Sequence, residues 1–230
     1  MQKGTYTYDY PRPMVATDCV IFGFDGTKMQ VLLVKRGEEP YKDSWVLPGG
    51  FLRMEESAEE SARMMLREKT GLRETYIEQF HTFSAPERDV RGRVISIAYY
   101  ALVRKQEVRQ GANVSEVGWF PLDGLPELVF DHKDILDMAL AKLRERIMFQ
   151  PVGFDLLPEK FTMRALQSLY EAILGVEFDR RNFSKKILHV GLLTDLNESA
   201  RSTPKRMAKL YKFNAESYGR LKEKGFRLEF

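Results

Sequence analysis

Gly50, Glu56 and Glu68 lie in the stretch GFLRMEESAEESARMMLREKTGL (50–72) at a spacing suited to phosphate chemistry. Beyond the glycine and first glutamate, the segment takes on a helical period and carries Glu68 near its end. Carboxylates three or four residues apart on a helix project from one face and can share divalent cations. Mg2+ held there would take up diphosphate oxygens. The neighbours work against that use. Met64 and Met65 stand where charge is wanted, and Lys69 sets an ammonium group beside Glu68. Methionine offers no oxygen, so Glu56 and Glu68 would hold a metal weakly or not at all.

A helix must carry these groups. Ser57 and Glu60 form a capping box, Ala58, Ala62, Met65, Leu66 and Lys69 fall on helical spacing, and Gly71 is a natural stop. Ahead of it, MVATDCVIFGF (14–24) and MQVLLVKR (29–36) read as strands joined at Asp25-Gly26, a hairpin. Further strands are expected at 75–83, 93–104 and 117–122. DHKDILDMALAKLRERIM (131–148) is an amphipathic helix with Ile135, Met138, Leu140, Leu143 and Ile147 on its apolar face. Strands with two helices make this part an α/β arrangement.

The composition, 43% hydrophobic and 30% charged, is that of an ordinary soluble protein. No apolar run approaches the ~18 residues of a membrane span. MQKGTYTYDYPRP has no apolar signal core, so a cytoplasmic protein without a membrane partner is expected. The single cysteine, Cys19, cannot form an internal disulfide and reads as a small buried hydrophobe.

WVLPGG (45–50) and the stretch after it resemble the Nudix family. Its box is a glycine, five residues, a glutamate, seven residues, then Arg-Glu-apolar-x-Glu-Glu-x-Gly-apolar. Gly50, Glu56, Leu66, Glu68, Gly71 and Leu72 match; Met64 replaces the arginine, Met65 the first glutamate of the cluster and Lys69 its last. The resemblance implies an α/β (α+β) Nudix sandwich. In that family the lost positions supply metal ligands and often the base that activates water, so no catalytic residue and no required cofactor are expected, with Mg2+ at most weak on Glu56 and Glu68. FSAPERDVRGRVISIAYYAL (83–102) resembles members that handle ADP-ribose. Candidate ligand residues are Arg36, Gly49, Gly50, Phe83, Arg88, Asp89, Arg91, Arg93 and His132. Arginines around a turn at Gly92 suit a diphosphate or sugar hydroxyls, and Asp89 suits ribose hydroxyls or fixes the arginines. Against this stand a solvated loop with internal salt bridges and, for His132, a capping or surface role.

After residue 150 the texture changes. PVGFDLLPEK carries two prolines and no strong period, which sets a boundary or linker there and divides the chain into 1–150 and 151–230. The first part has 21 Lys/Arg against 23 Asp/Glu, the second 15 against 10, a neutral front with a basic tail. FTMRALQSLYEAILG (161–175) reads as a helix capped by Thr162 and ended by Gly175. RRNFSKKILHVG (180–191) is a basic helix with Phe183, Ile187 and Val190 on one face. LLT (192–194) and LYKFN (210–214) flank the polar, basic loop DLNESARSTPKRMAK. Helix, short link, basic helix and hairpin outline a winged helix-turn-helix, a second and smaller domain. Its second helix would enter the major groove, with Arg180, Arg181, Asn182, Ser184, Lys185 and Lys186 in its first two turns. Arg201, Lys205, Arg206 and Lys209 would meet phosphates from the wing. A basic helix in a protein–protein module is the competing reading.

The combination resembles the Nudix-related transcriptional regulators, the NrtR-like family, repressors of NAD-metabolism genes with relatives that control sugar use. That resemblance implies a homodimer on a palindromic operator, repressing until ADP-ribose, a related NAD metabolite or a pentose occupies the old substrate groove. The alternative is a Mg2+-dependent hydrolase of ADP-ribose or a related nucleoside diphosphate compound.

Overall fold

The computed structural model describes residues 8–70, 76–104, 114–203 and 206–223. In chain order the elements are β1 (Met14–Phe24), β2 (Met29–Arg36), β3 (Trp45–Val46), β4 (Gly49–Phe51), α1 (Ala58–Thr70), β5 (Tyr76–Phe83), β6 (Val94–Leu102), β7 (Val114–Pro121), α2 (His132–Ile147), β8 (Phe161–Thr162), α3 (Met163–Leu174), α4 (Arg180–Val190), β9 (Leu193–Thr203), β10 (Arg206–Phe213) and α5 (Ala215–Glu223).

β1 is the axis of a seven-stranded mixed sheet ordered β3-β2-β1-β6-β5, with β4 also on β1 and β7 also on β2. It pairs antiparallel with β2 through Ile21–Leu32 and parallel with β6 from Met14–Val94 to Phe22–Leu102. Alternation along β1 decides what each sheet face holds. Cys19 and Ile21 point to the side where Ala62 and Leu66 of α1 pack; Val20 and Phe22 point to the side of Ile135, Leu136, Ala139 and Leu143 from α2. Helices cover both faces, so β1 is apolar without a break from Cys19 to Phe22 rather than alternating. The capping box of α1 forms as expected: Glu60 N–H donates to Ser57 Oγ at 3.2 Å, and Ser57 N–H to Glu60 Oε2 at 2.9 Å. Gly71 and Leu72 of the box lie outside the described residues. On α2, Leu136 and Ala139 are buried while Met138 and Leu140 sit half-buried on the shoulders, a face turned slightly from the expected one.

The segment around 151 is not an open linker. Val152–Leu156 forms a 3-10 turn, and Val152, Phe154, Leu156 and Leu157 are buried in the same cluster as β1, α2 and α3. Apolar residues between prolines had a core to enter, which local period alone does not reveal. Beyond it, Ala165 N–H donates to Thr162 Oγ1 at 3.2 Å at the start of α3, and Asn182 N–H to Asp179 Oδ1 at 2.9 Å at the start of α4. Gly175 and Gly191 end the two helices at φ of 72° and 79°, the left-handed conformation that glycine takes without strain. The presumed basic loop is mostly strand: β9 and β10 run on to Thr203 and from Arg206 as a hairpin, joined by β8 into a three-stranded sheet. An exposed hairpin needs no apolar alternation, so its arms carry no periodic signal. Helix, helix and wing make the expected winged helix. Among the described residues no helix is long and apolar enough to cross a membrane.

Candidate functional site

A cavity of about 640 Å3 opens where β1, β4, α1 and the start of α2 meet, within the usual range for small-molecule sites. Pairing of β4 with β1 brings Gly49 beside Asp18 and Gly50 beside Thr17. A Cβ on Gly49 would stand 2.2 Å from Asp18 Oδ1, and one on Gly50 2.2 Å from the Met65 methyl. Gly49 is thus demanded by Asp18 and the Thr17 carbonyl in the floor, whereas over Gly50 lies the flexible end of Met65.

The floor is a buried charge network. Arg88 grips Asp131 with Nε and Nη2 at 2.8 and 2.7 Å and reaches Asp18 at 3.3 Å; its side chain is 4% exposed. Ser96 Oγ donates to Asp18 at 2.6 Å. Asp131 sits at the N-cap of α2 but makes no capping hydrogen bond, because its carboxylate is turned to Arg88. His132 is buried in the cavity floor rather than capping at the surface. Leu47 N–H donates to its Nδ1 at 3.0 Å, which leaves the proton on Nε2, 3.7 Å from Asp18 Oδ1.

Burial, opposed by Asp18 and Asp131, holds the His132 imidazole below its ordinary value. The unfolded chain therefore takes up the proton first as pH falls below about 6.5. Unfolding binds a proton in that window, so stability declines on acidification. Melting temperatures between about pH 7 and pH 5.5 should fall less steeply in His132→Gln than in the wild type; equal slopes would show that His132 is not the group responsible.

Two further guanidiniums of the cavity lie against its aromatic rings. Arg91 is locked onto Asp89 by bonds of 2.9 and 2.6 Å and lies 4.7 Å from the ring centre of Phe51 and 5.4 Å from that of Phe130. Arg36 donates to the Pro40 carbonyl at 2.7 Å and lies 5.2 Å from the same Phe130 ring. Burial, and next the charge of Arg91, lower the Arg36 pKa. Two cations sharing one aromatic ring would gain from an anion between them. Of the sequence candidates, Arg36, Gly49, Gly50, Arg88, Asp89, Arg91 and His132 line the cavity, together with Met64, Met65 and Glu68. Phe83 and Arg93 do not: Phe83 packs edge-on against Phe80 and His81, and Arg93 donates to the Ser84 and Ala85 carbonyls, bracing the 84–92 turn from outside. The side chain of Lys69 lies outside the described residues.

The residues fit Mg2+ poorly. Glu56 and Glu68 both face Arg53, at 3.3 and 3.8 Å, and the sulfur of Met64 accepts from Arg53 at 3.4 Å. Among the described residues no group of three or more His, Cys, Asp and Glu side chains is arranged to hold a metal. A hard octahedral cation needs more oxygens than this, and a guanidinium already lies against the two carboxylates. Sequence reasoning missed Arg53, Asp18 and Asp131. No local pattern marked them, since each acquires its role from partners brought by folding.

The second candidate surface is α4. Phe183 and Ile187 anchor it, and Arg180, Arg181, Asn182, Lys185 and Lys186 are exposed on its outer sides. Ser184 is half-buried and spends its hydroxyl on the Arg180 carbonyl at 2.8 Å, so its donor is turned inward rather than to a phosphate. On the hairpin, Lys209 is ion-paired with Asp195 at 2.9 Å, which offsets the charge expected to meet phosphates. Arg201 and Arg206 belong to β9 and β10, their side chains undescribed, and Lys205 lies outside the described residues.

Comparison with known proteins bears on both surfaces. Residues 12–139 match the NUDIX domain family and residues 153–213 the NrtR DNA-binding winged helix domain. The chain is 34% identical over 215 residues, 91% of its length and 86% of the other's, to the ADPR responsive transcriptional repressor NtrR of Acinetobacter baylyi. It is 37% identical over 127 residues, 55% of its length and 73% of the other's, to the ADP-ribose pyrophosphatase of Methanocaldococcus jannaschii. Shewanella oneidensis NrtR complexed with a 27mer DNA superposes with a TM-score of 0.76 at 33% identity, covering 89% of this chain and 95% of that one. The NUDIX domain of the same Shewanella protein, complexed with ADP ribose, superposes with a TM-score of 0.54 at 35% identity over 59% of this chain and 94% of that one.

Proposed function

We propose, from the premise that this chain belongs to the Nudix proteins that carry an NrtR winged helix domain, that it is an ADP-ribose-responsive transcriptional repressor. Residues 1–150 would form the sensing part and 151–230 the DNA-reading part. ADP-ribose would occupy the cavity floored by Asp18, Arg88 and His132, with its negative charge drawn by the arginines around Phe51 and Phe130. Arg180, Arg181, Asn182, Lys185 and Lys186 of α4, all exposed, would enter the major groove of an operator half-site. Two chains as a homodimer would present two such helices about 34 Å apart, one turn of duplex, to a palindrome.

The observation that carries this reading is the span of α2. Its first residues sit in the cavity floor, where Arg88 holds Asp131 and Leu47 holds His132. At its far end Arg144 donates to the Ile173 carbonyl of α3 at 2.7 Å, and Ile147 packs at Gly153 beside Leu169 and Ile173. Sixteen residues of helix, about 24 Å, therefore join the sensing cavity to the scaffold of the DNA reader. A ligand that favours one placement of α2 shifts the spacing of two reading helices, provided it binds that placement more tightly by several kcal/mol.

The test is a mobility-shift assay on the gene's own upstream region with ADP-ribose titrated in and arabinose and xylose as controls. A retarded complex released by ADP-ribose is expected. No complex at low salt would overturn the repressor reading; release by a pentose alone would overturn the effector. Arg181→Ala should weaken specific binding by about 1–3 kcal/mol, and Lys186→Ala should weaken all DNA alike and flatten the salt dependence. The same preparation with Mg2+ and ADP-ribose is expected to release no product. Turnover abolished by Glu68→Gln would instead favour the activity named for the Methanocaldococcus relative.

A further inference from the structure

We propose that Arg53 stands in for a metal ion: its guanidinium, seated among the remaining carboxylates of the old hydrolytic helix, binds the effector's diphosphate without any divalent cation. The inference rests on the effector reading above and names the group that would carry its phosphate recognition. The turn after β4, in which Glu56 N–H donates to the Arg53 carbonyl at 3.4 Å, folds the Arg53 side chain back over α1. There the guanidinium meets Glu56 at 3.3 Å, Glu68 at 3.8 Å and the Met64 sulfur at 3.4 Å. Met64 and Glu68 are one helical turn apart, so Arg53 covers the face on which the box would gather its ligands. Glu56 Oε2 is buried with no hydrogen-bond partner, which leaves a negative field that keeps the cation in place.

Of the neighbouring guanidiniums, Arg36 bonds only the Pro40 carbonyl among the described residues and would share the anion, while the other two are already held by carboxylates. Arg88 is closed onto Asp131 and Asp18, and Arg91 onto Asp89, with contacts down to 2.6 Å. Arg53 holds its carboxylates at longer range, its side chain is 51% exposed, and it lines the cavity. Its planar fork therefore has donors to offer a pair of phosphate oxygens, and Glu68, itself 46% exposed, needs only a change of rotamer to yield. The methionines complete the exchange. Met65 fills the space over Gly50 and Met64 offers a sulfur to the guanidinium, so neither position supplies an oxygen to a cation.

The experiment is calorimetric titration of the full chain with ADP-ribose, in EDTA and in millimolar Mg2+. Wild type should bind equally well in both buffers. Arg53→Gln should raise the Kd about tenfold in EDTA, and Mg2+ should then restore part of the loss because Glu56 and Glu68 are released to it. Arg53→Lys, which keeps the charge but not the fork, should fall between. The Mg2+ rescue separates this role from a merely structural one. Wild-type binding that requires Mg2+, or Arg53→Gln binding as tightly as wild type in EDTA, would overturn the assignment of Arg53 while leaving the effector reading intact. No binding of ADP-ribose by wild type in either buffer would overturn the effector reading, and this proposal with it.

Discussion

Arg88→Met should cost about 3–5 kcal/mol of folding stability, measured by urea unfolding, although it only swaps one buried side chain for another of similar volume. The loss comes from what is left behind. Asp131 and Asp18 would face the cavity floor without the cation that now contacts both at 2.7 and 3.3 Å. Ser96, His132 and the start of α2 depend on that arrangement. Ser96 holds Asp18, His132 lies 3.7 Å from it, and Asp131 starts α2 with its carboxylate turned away from capping. Adding Asp131→Asn to Arg88→Met should recover part of the loss, because one of the stranded charges goes with it. A cost below about 1 kcal/mol would mean that water replaces the guanidinium and the floor is not a closed network.

Phe183→Ala should cost about 3–5 kcal/mol as well, and should abolish operator binding before it affects effector binding. Phe183 is buried beneath α4, 5.9 Å from Tyr170 and 5.5 Å from Phe178 between ring centres. Only it and Ile187 are fully buried from that helix, so the basic residues are positioned by two side chains. Removing the larger opens a cavity under the reading helix and frees its angle to the wing. Operator affinity from mobility shifts and ADP-ribose affinity from calorimetry should part company in this variant. Equal loss of both would show that the shared core around Val152–Leu157 makes the chain unfold as one body.

Much of the fold was legible because the signals were local. Ser57 with Glu60, Thr162 with the third residue after it, and glycines at 175 and 191 state helix ends through bonds and φ values that few other residues provide. The apolar run of β1 and the period of α2 likewise report burial directly. Less legible were β9 and β10, whose solvated arms alternate with nothing, and the 3-10 turn at 152, whose apolar residues have no period to declare them. The site split along the same line. Gly49, Gly50, Arg88, Asp89, Arg91 and His132 could be named in advance from motif and composition. Their state stayed open: Asp89 fixing the arginines was one of two readings and holds for Arg91, whereas the closure of Arg88 onto Asp131 and Asp18 had no local signal.

The sequence by itself determined the helix that carries the damaged box, the basic helix of the tail and the loss of oxygen donors at Met64 and Met65, because each depends on residues within a turn or two of one another. The tertiary structure alone decided that Arg53 covers the surviving glutamates, that Asp18 and Asp131 share Arg88, and that α2 touches both the cavity and α3. Apart from Arg53 to Glu56, three residues on, those contacts join residues well separated in the chain. Their energy depends on burial and on the direction of a few charged atoms, and neither exists until the sheet has brought the strands together.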